Sequence, residues 1–426
     1  MSELLPSWAE APLSELGNEI RGSTSPAAGV TYELYSVPIF PTRRPEIIDG
    51  AEIGSSKRPV RPGDVLLCKI NPRINRVWMV ADPLEPGQPI ASTEYLVLRT
   101  VDRDLSRYLM WYLRSPRFRD WIKLSVEGAT GSHTRAKSGP ILRQRVPLPP
   151  LNEQRRIVAA IEEQLSRLDA ADASLAQAKL RIEAFVGATV ASALGGDWEI
   201  VALSEVTESQ VYGTSSKANS DTRGVPVLRM GNINGGRLDL GNLKYLPPDH
   251  PDVAKFTLEL GDVLFNRTNS PELVGKSAVF TGAERMTFAS YLIRVRLTDH
   301  CDPRWAVLVI NGPPGRNYIA SVRSQQVGQA NVNGTKLAAM PVPLPPLEEQ
   351  KRIVAEVEER LSVIDAMRAS IERAERRSAS LRRSILERAF RGELVPQDPS
   401  DEPASVLLDR IRAARSSARP THRSRV

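Results

Sequence analysis

The chain has 426 residues, a formal net charge of +7 at pH 7 and only two cysteines, Cys68 and Cys301. That length holds two or three domains, each large enough for its own core. Two distant cysteines exclude a disulfide framework and a cysteine metal site, and the scattered His133, His250, His300 and His422 form no zinc-ligand pattern.

Apolar stretches such as 305–310 are too short to span a bilayer, and the opening MSELLPSWAE has acids where a signal peptide needs positive charge. The expectation is a cytoplasmic protein with no membrane partner.

Residues 1–150 form a first domain that carries the larger share of the basic surplus. Short β-branched and aliphatic runs at 65–67 and 95–98, set between Gly, Pro, Asn and Asp turns, predict strands. A helical stretch follows at 107–119, interrupted by Pro116.

At 146–170 the chain reads VPLPPLNEQRRIVAAIEEQLSRLDA, and at 342–366 it reads VPLPPLEEQKRIVAEVEERLSVIDA. Eighteen of the 25 aligned positions are identical at a shift of 196 residues, so the chain is two copies of one plan. Each block opens a long helix, with prolines forbidding an earlier start and Glu153 or Glu349 offsetting the dipole of the first turn. The spacer helix of 151–196 is expected to be continuous over 151–186, about 54 Å at ~1.5 Å per residue.

Ile161, Leu168, Leu175 and Ile182 recur every seven positions, with Ile157, Ala171, Ala178 and Phe185 on a companion row. The second copy, 347–392, repeats these rows with Val357, Ile364, Ile371 and Ile385, and with Ile353, Met367, Ala374 and Leu381. Strict heptad spacing is narrower than a globular helix needs and predicts that the two helices pair as an antiparallel coiled coil. Gln164 and Arg360, equivalent under the shift, would place a polar group on that seam, or Arg360 would lie along its edge with its head in water.

Between the blocks, 197–346 is a second domain with predicted strands at 225–229, 263–265 and 292–297 and a helical stretch at 304–320 broken by Pro313-Pro314. It repeats the first domain faintly. Trp8…Leu13-Ser14-Glu15-Leu16 matches Trp198…Leu203-Ser204-Glu205-Val206, and Gly63-Asp64-Val65-Leu66 matches Gly261-Asp262-Val263-Leu264. The segment 393–426 is expected to be a flexible tail after a short helix around 404–414. The fold class is therefore α/β mixed (α+β), with two similar strand-rich domains separated by two long helices in a pseudo-twofold internal repeat.

No catalytic residues are identified. Gly275-Lys276-Ser277 has Ser270 where a phosphate-binding loop needs glycine, and no Gly-x-Gly-x-x-Gly turn exists. Asn71-Pro72-Arg73-Ile74 lacks the second proline and the aromatic of an adenine-methyltransferase motif. Glu349-Gln350-Lys351 belongs to a helix start, as its twin Glu153-Gln154-Arg155 does.

The doubled Pro-Leu-Pro-Pro-Leu-x-Glu-Gln-x-x-Ile-Val block, with Gly392-Glu393-Leu394-Val395-Pro396-Gln397-Asp398-Pro399 near the end, resembles the DNA-specificity (S) subunit of type I restriction-modification systems. The resemblance covers essentially the whole chain. It implies a non-catalytic subunit whose two target-recognition domains each read one half of a bipartite double-stranded DNA site. The helices would act as spacer and as docking surface for two methyltransferase (modification) subunits. S-adenosylmethionine, ATP and Mg would be bound by those subunits and by restriction/translocase subunits, with no cofactor or metal on this chain. The rival reading keeps the coiled coil without DNA, as a scaffold joining two copies of a partner protein.

Side chains suited to bases and phosphates cluster near turns, where Arg grips guanine, Asn or Gln adenine, and Lys phosphate. In the first domain these are Lys69, Asn71, Arg73, Asn75 and Arg76, then Arg43, Arg44, Lys57 and Arg58, and the loop with Ser132, His133, Arg135 and Lys137. In the second they are Arg229, Asn232, Asn266, Arg267, Thr268, Asn269 and Lys276, with Gln325, Gln326, Gln329, Asn331 and Asn333. The strongest pair of clusters is 69–75 and 266–269, because both follow the shared Gly-Asp-Val-Leu strand.

Overall fold

A computed structural model describes residues 4–83, 87–124, 134–271, 273–282, 284–326 and 329–417. It divides into two compact units, one of Met1–Ser174 with Arg373–Val426 and one of Leu175–Glu372. Each unit holds one strand-rich globular segment and part of both long helices.

The first unit is built on a four-stranded antiparallel sheet of β1 (Gly17–Ile20), β2 (Val65–Cys68), β3 (Val77–Met79) and β4 (Tyr95–Thr100), in the order β1-β4-β2-β3. The second unit repeats it with β5 (Thr207–Tyr212), β6 (Val263–Asn266), β7 (Ser277–Val279) and β8 (Leu292–Leu297), in the order β5-β8-β6-β7. Central strands β2 and β6 are buried at every position, which is why their sequences are unbroken apolar runs up to the last residue. Val65 faces Leu98 in one register and Val263 faces Val295 in the other.

Beside each of these sheets lies a second one containing a parallel pair, four-stranded in the first unit with Thr31–Tyr35 beside Gln88–Ser92, and three-stranded in the second with Val225–Leu228 beside Thr287–Phe288. The expected helical stretches each split into two helices, Arg103–Arg114 with Pro116–Leu124 and Pro303–Asn311 with Pro313–Val322. The prolines open the following helix, where a missing N–H costs nothing.

The long helices are α1 (Leu151–Ala193) and α2 (Leu347–Ala389), 43 residues each and about 65 Å at ~1.5 Å per residue. Helix α1 outruns the expected 151–186 because Gly187 is passed through; Thr189 and Leu194, at 5 % and 7 % exposed, are buried beyond it.

Both helices contribute to the core of each unit. Ile157, Ile161 and Leu165 pack in one cluster with Ile385, Ala389 and Phe390 in the first unit. Val190, Ala193 and Leu194 pack in another with Ile353, Val354 and Val357 in the second. The pairing is antiparallel. Ile364 and Ile371 are buried, while Leu168, Leu175 and Ile182 are half-buried on the packed row.

The companion row packs at Ile157, Ala178, Ile353 and Ala374 but not at its other positions. Phe185, Met367 and Leu381 are 57 %, 51 % and 42 % exposed, and Ala171 is exposed as well. The neighbouring positions carry cross-helix ion pairs instead: Arg382 Nη2 lies 2.7 Å from Asp169 Oδ1 and from Asp172 Oδ2, and Arg368 Nη2 lies 2.7 Å from Glu183 Oε1. Arginine stems cover apolar surface while their heads stay wet, so a row reading as charged still packs. Gln164 is half-buried, and Arg360 is exposed with its guanidinium 2.6 Å from Glu356 on the same helix.

The segment after α2 is folded against the first unit and contains the short helix expected around 404–414. Gly392 adopts φ +77° and turns the chain. Asp401 accepts from Arg156 Nη2 at 2.6 Å, and the helix Ala404–Ser417 buries Leu407, Leu408 and Ile411 in the first core. Residues 418–426 lie outside the described residues.

Candidate nucleic-acid interface

Each Gly-Asp-Val-Leu segment is held by the same set of bonds. Gly63 and Gly261 take φ +88° and +91°, and their N–H groups donate to Val80 O and Phe280 O. Asp64, 1 % exposed, accepts from Arg99 Nε and Nη2 at 2.8 and 2.7 Å, and Asp262, equally buried, accepts from Arg296 at 2.9 and 3.1 Å. Bidentate pairing of this kind fixes both side chains in one geometry.

The strand ends that leave this frame are also equivalent. Cys68 N donates to Arg76 O and Asn266 N to Lys276 O, both at 2.9 Å. Lys69 N donates to Glu94 O while Arg267 N donates to Tyr291 O; Ala136 N donates to Lys69 O while Val332 N donates to Arg267 O. These bonds draw together segments far apart in sequence: 69–76 with 134–137 in the first unit, and 266–269 with 329–333 in the second.

In the first unit, Asn71 and Asn75 take the left-handed conformation, φ 47° and 51°, around the turn Pro72–Ile74 that presents exposed Arg73. The Oδ1 of Asn71 and Nη1 of Arg76 are buried without a hydrogen-bond partner, whereas Asn75 Nδ2 donates to Leu113 O at 2.8 Å. Arg135 is exposed and pairs with Glu94, and Lys137 is exposed. The pKa of the Lys69 ammonium is pushed down by burial and by Arg58 and Arg135, against the opposing pull of Glu94 and Glu19. Arg58 and Arg135 thus lie close enough to Lys69 to bear on its charge, as do the opposing Glu94 and Glu19.

Arg58 donates through Nη1 to Ile20 O at 3.1 Å and keeps a buried, unpartnered Nε. Lys57 is turned inward, with Nζ donating to Ser55 O and Oγ at 2.9 and 2.6 Å. Arg43 and Arg44 are exposed on a separate turn, where Arg43 adopts φ 57°. Ser132 and His133 lie outside the described residues.

In the second unit, the Arg267 guanidinium lies 4.8 Å from the centre of the Tyr212 ring, with its Nε buried and unpartnered. Tyr212 Oη accepts from Gly334 N at 2.7 Å, so the ring is fixed from behind. Asn266 is fully buried and its Oδ1 is unpartnered. Thr268 Oγ1 accepts from Asn331 Nδ2 at 2.7 Å, Asn269 Oδ1 from Ser270 N at 2.8 Å, and Asn333 Oδ1 caps the helix Gly334–Ala338. Lys276 is half-buried.

Asn232 is spent internally, bonding Arg229 N and Asp239 O, and Arg229 Nη2 donates to Asn242 O. Gln325, Gln326 and Gln329 lie on the strands Ser324–Gln326 and Gln329–Asn331, with side chains outside the described residues.

Tyr212 was absent from the sequence candidates. Its signal was available: it ends the strand after the repeated Leu-Ser-Glu-Val anchor and stands 40 % exposed, an aromatic at a wet strand end. Among the described residues no cluster of three or more His, Cys, Asp or Glu could hold a metal ion, and no helix is long and apolar enough to cross a membrane.

Residues 195–376 match the family described as Type I restriction modification DNA specificity domain. The chain is 27% identical over 347 residues to the type I restriction enzyme EcoKI specificity subunit of Escherichia coli strain K12, spanning 76% of this chain and 74% of that protein. It is 26% identical over 333 residues to the StySPI specificity subunit of Salmonella potsdam, spanning 72% of each. Its fold is shared, at TM-score 0.75 and 23% identity over 92% of this chain and 99% of the other, with a chain from the work "Structural basis underlying complex assembly and conformational transition of the type I R-M system". Residues 195–376 thus match the type I restriction modification DNA specificity domain, and the chain is similar to type I restriction enzyme specificity subunits over about three quarters of its length.

Proposed function

We propose that this chain reads a bipartite, asymmetric double-stranded DNA site, one half-site per strand-rich domain, and catalyses no reaction itself. The duplicated frame with divergent strand ends carries this reading: Asp64–Arg99 and Asp262–Arg296 hold the same scaffold, while Lys69 and Arg267 emerge from it among different neighbours. One scaffold presenting two chemistries is what an asymmetric site requires.

The paired helices serve as spacer and as the docking surface for two modification subunits, which bring S-adenosylmethionine; restriction subunits would add ATP and Mg. The exposed apolar residues Phe185, Met367 and Leu381 on those helices support a protein-facing role.

The test is duplex binding by the full chain co-purified with its modification subunit, across a salt series. Phosphate-mediated binding predicts that log K falls linearly with log salt at a slope of several units. A complex that assembles but binds duplex with no salt dependence would replace this reading with a protein scaffold.

A further inference from the structure

Resting on that DNA-reading proposal, we infer that one backbone position shared by the two domains, occupied by Lys69 in the first and Arg267 in the second, is the base-reading position of each, and that each contacts a guanine in its half-site.

The equivalence rests on bonding. Lys69 and Arg267 follow the central strands β2 and β6 directly, each donating its N–H to a carbonyl at the start of the neighbouring strand and accepting at its own carbonyl from the segment that closes the cluster. Two backbone hydrogen bonds at one residue leave little freedom, so each side chain leaves the scaffold from a pre-set point. Preorganised donors lose less entropy on binding and discriminate more sharply.

The surroundings differ where reading has to differ. Near Arg267, strand β5, one strand removed from β6 in the same sheet, ends at Tyr212, whose ring lies 4.8 Å from the guanidinium. That contact, with the Nη1 donation to Ser290 O at 3.4 Å, holds the guanidinium in place, and its planar fork suits two parallel bonds to the N7 and O6 of guanine. The buried Nε without an acceptor is a donor left unsatisfied in the free protein.

Beside Lys69 there is no stacked ring among the described contacts. Arg58 and Arg135 raise the local positive potential, and Glu19 and Glu94 lie close enough to act against it. A lysine there donates to the same guanine edge from a flexible stem, and the flanking arginines suit the adjacent phosphates.

The experiment is selection from a randomised double-stranded DNA library by the full chain in complex with its modification subunit. Wild type is expected to return a split motif with one guanine in each half that depends on this position. Arg267→Ala should lose guanine preference tenfold or more at one position of one half, leaving the other half and the gap unchanged; Lys69→Ala should do the same in the opposite half. The untouched half reports that the variant is folded. Arg267→Gln supplies a second variant and should shift the same position from guanine towards adenine.

Uniform weakening on all duplexes, with the salt slope smaller by about one unit, would mark a phosphate contact and overturn the assignment. So would a motif that survives both alanine variants. A wild-type complex that selects no split motif overturns the DNA-reading proposal itself, and this assignment with it.

Discussion

Asp64 holds Arg99 through two parallel hydrogen bonds of 2.8 and 2.7 Å while only 1 % exposed, and it also accepts the Arg61 N–H at 3.0 Å. One carboxylate thus pins the turn before β2 to the end of β4. Removing it leaves a guanidinium without its partner, at a cost of about 3 kcal/mol. Asp64→Ala should lower the unfolding midpoint of the first unit and leave that of the second, and Asp262→Ala should do the converse. Urea titration followed by proteolytic mapping of each unit reads this; equal loss in both units would contradict separate frames.

Glu153 gives the first unit a pH dependence. It is 1 % exposed and accepts from Trp8 Nε1 at 3.0 Å and from Gln397 Nε2 at 2.5 Å. Burial holds its carboxyl above the ordinary 4.5, outweighing those two bonds. A carboxyl raised on folding binds more protons folded than unfolded, so its contribution declines as pH rises from the unfolded value through the folded one. Glu153→Gln should therefore flatten the stability profile just above about pH 4.5, raising the neutral-pH melting temperature relative to the acidic one. Melting curves across that range giving wild-type slope would contradict it.

Truncation after Gly392 tests the packed C-terminal segment. It strips Leu407, Leu408 and Ile411 from the first core, each about 1.5 to 3 kcal/mol when fully buried. The shortened chain should lose several kcal/mol of first-unit stability and expose apolar surface to a hydrophobic dye. Unchanged melting would show that the segment only rests on the surface.

Much of this architecture is legible in the sequence because period and repetition are robust signals. The 25-residue block, the Gly-Asp-Val-Leu strands and the heptad row through Ile161 and Leu168 all follow from spacing alone. The companion row holds at Ile157 and Ile353 but is misread at Met367 and Leu381, the apolar choices there, whereas Arg368 and Arg382 are half-buried and pair across the helices. The short C-terminal helix is legible, but its docking is not, since Gln397 and Asp401 are tied to Glu153 and Arg156 far away in the chain. At the candidate interface, composition finds Arg267 but not the Tyr212 that holds it, since stacking joins residues far apart in the chain.

The spacer role predicts a length relationship. One added heptad after Ser174 in α1 and another after Glu372 in α2 preserves the phase of the seam. It lengthens each helix by about 10 Å at ~1.5 Å per residue, or about three base pairs at ~3.4 Å each. The gap between the two recognised halves should grow by that amount with both halves unchanged; an unaltered gap would rule out the helices as a ruler.

The central claim is tested most directly by mapping methylated adenines at single-base resolution in cells expressing the modification subunit with and without this chain. A two-part motif of fixed spacing is expected, and it should disappear when the chain is absent. Methylation that is unchanged without the chain, although the complex forms, would contradict it.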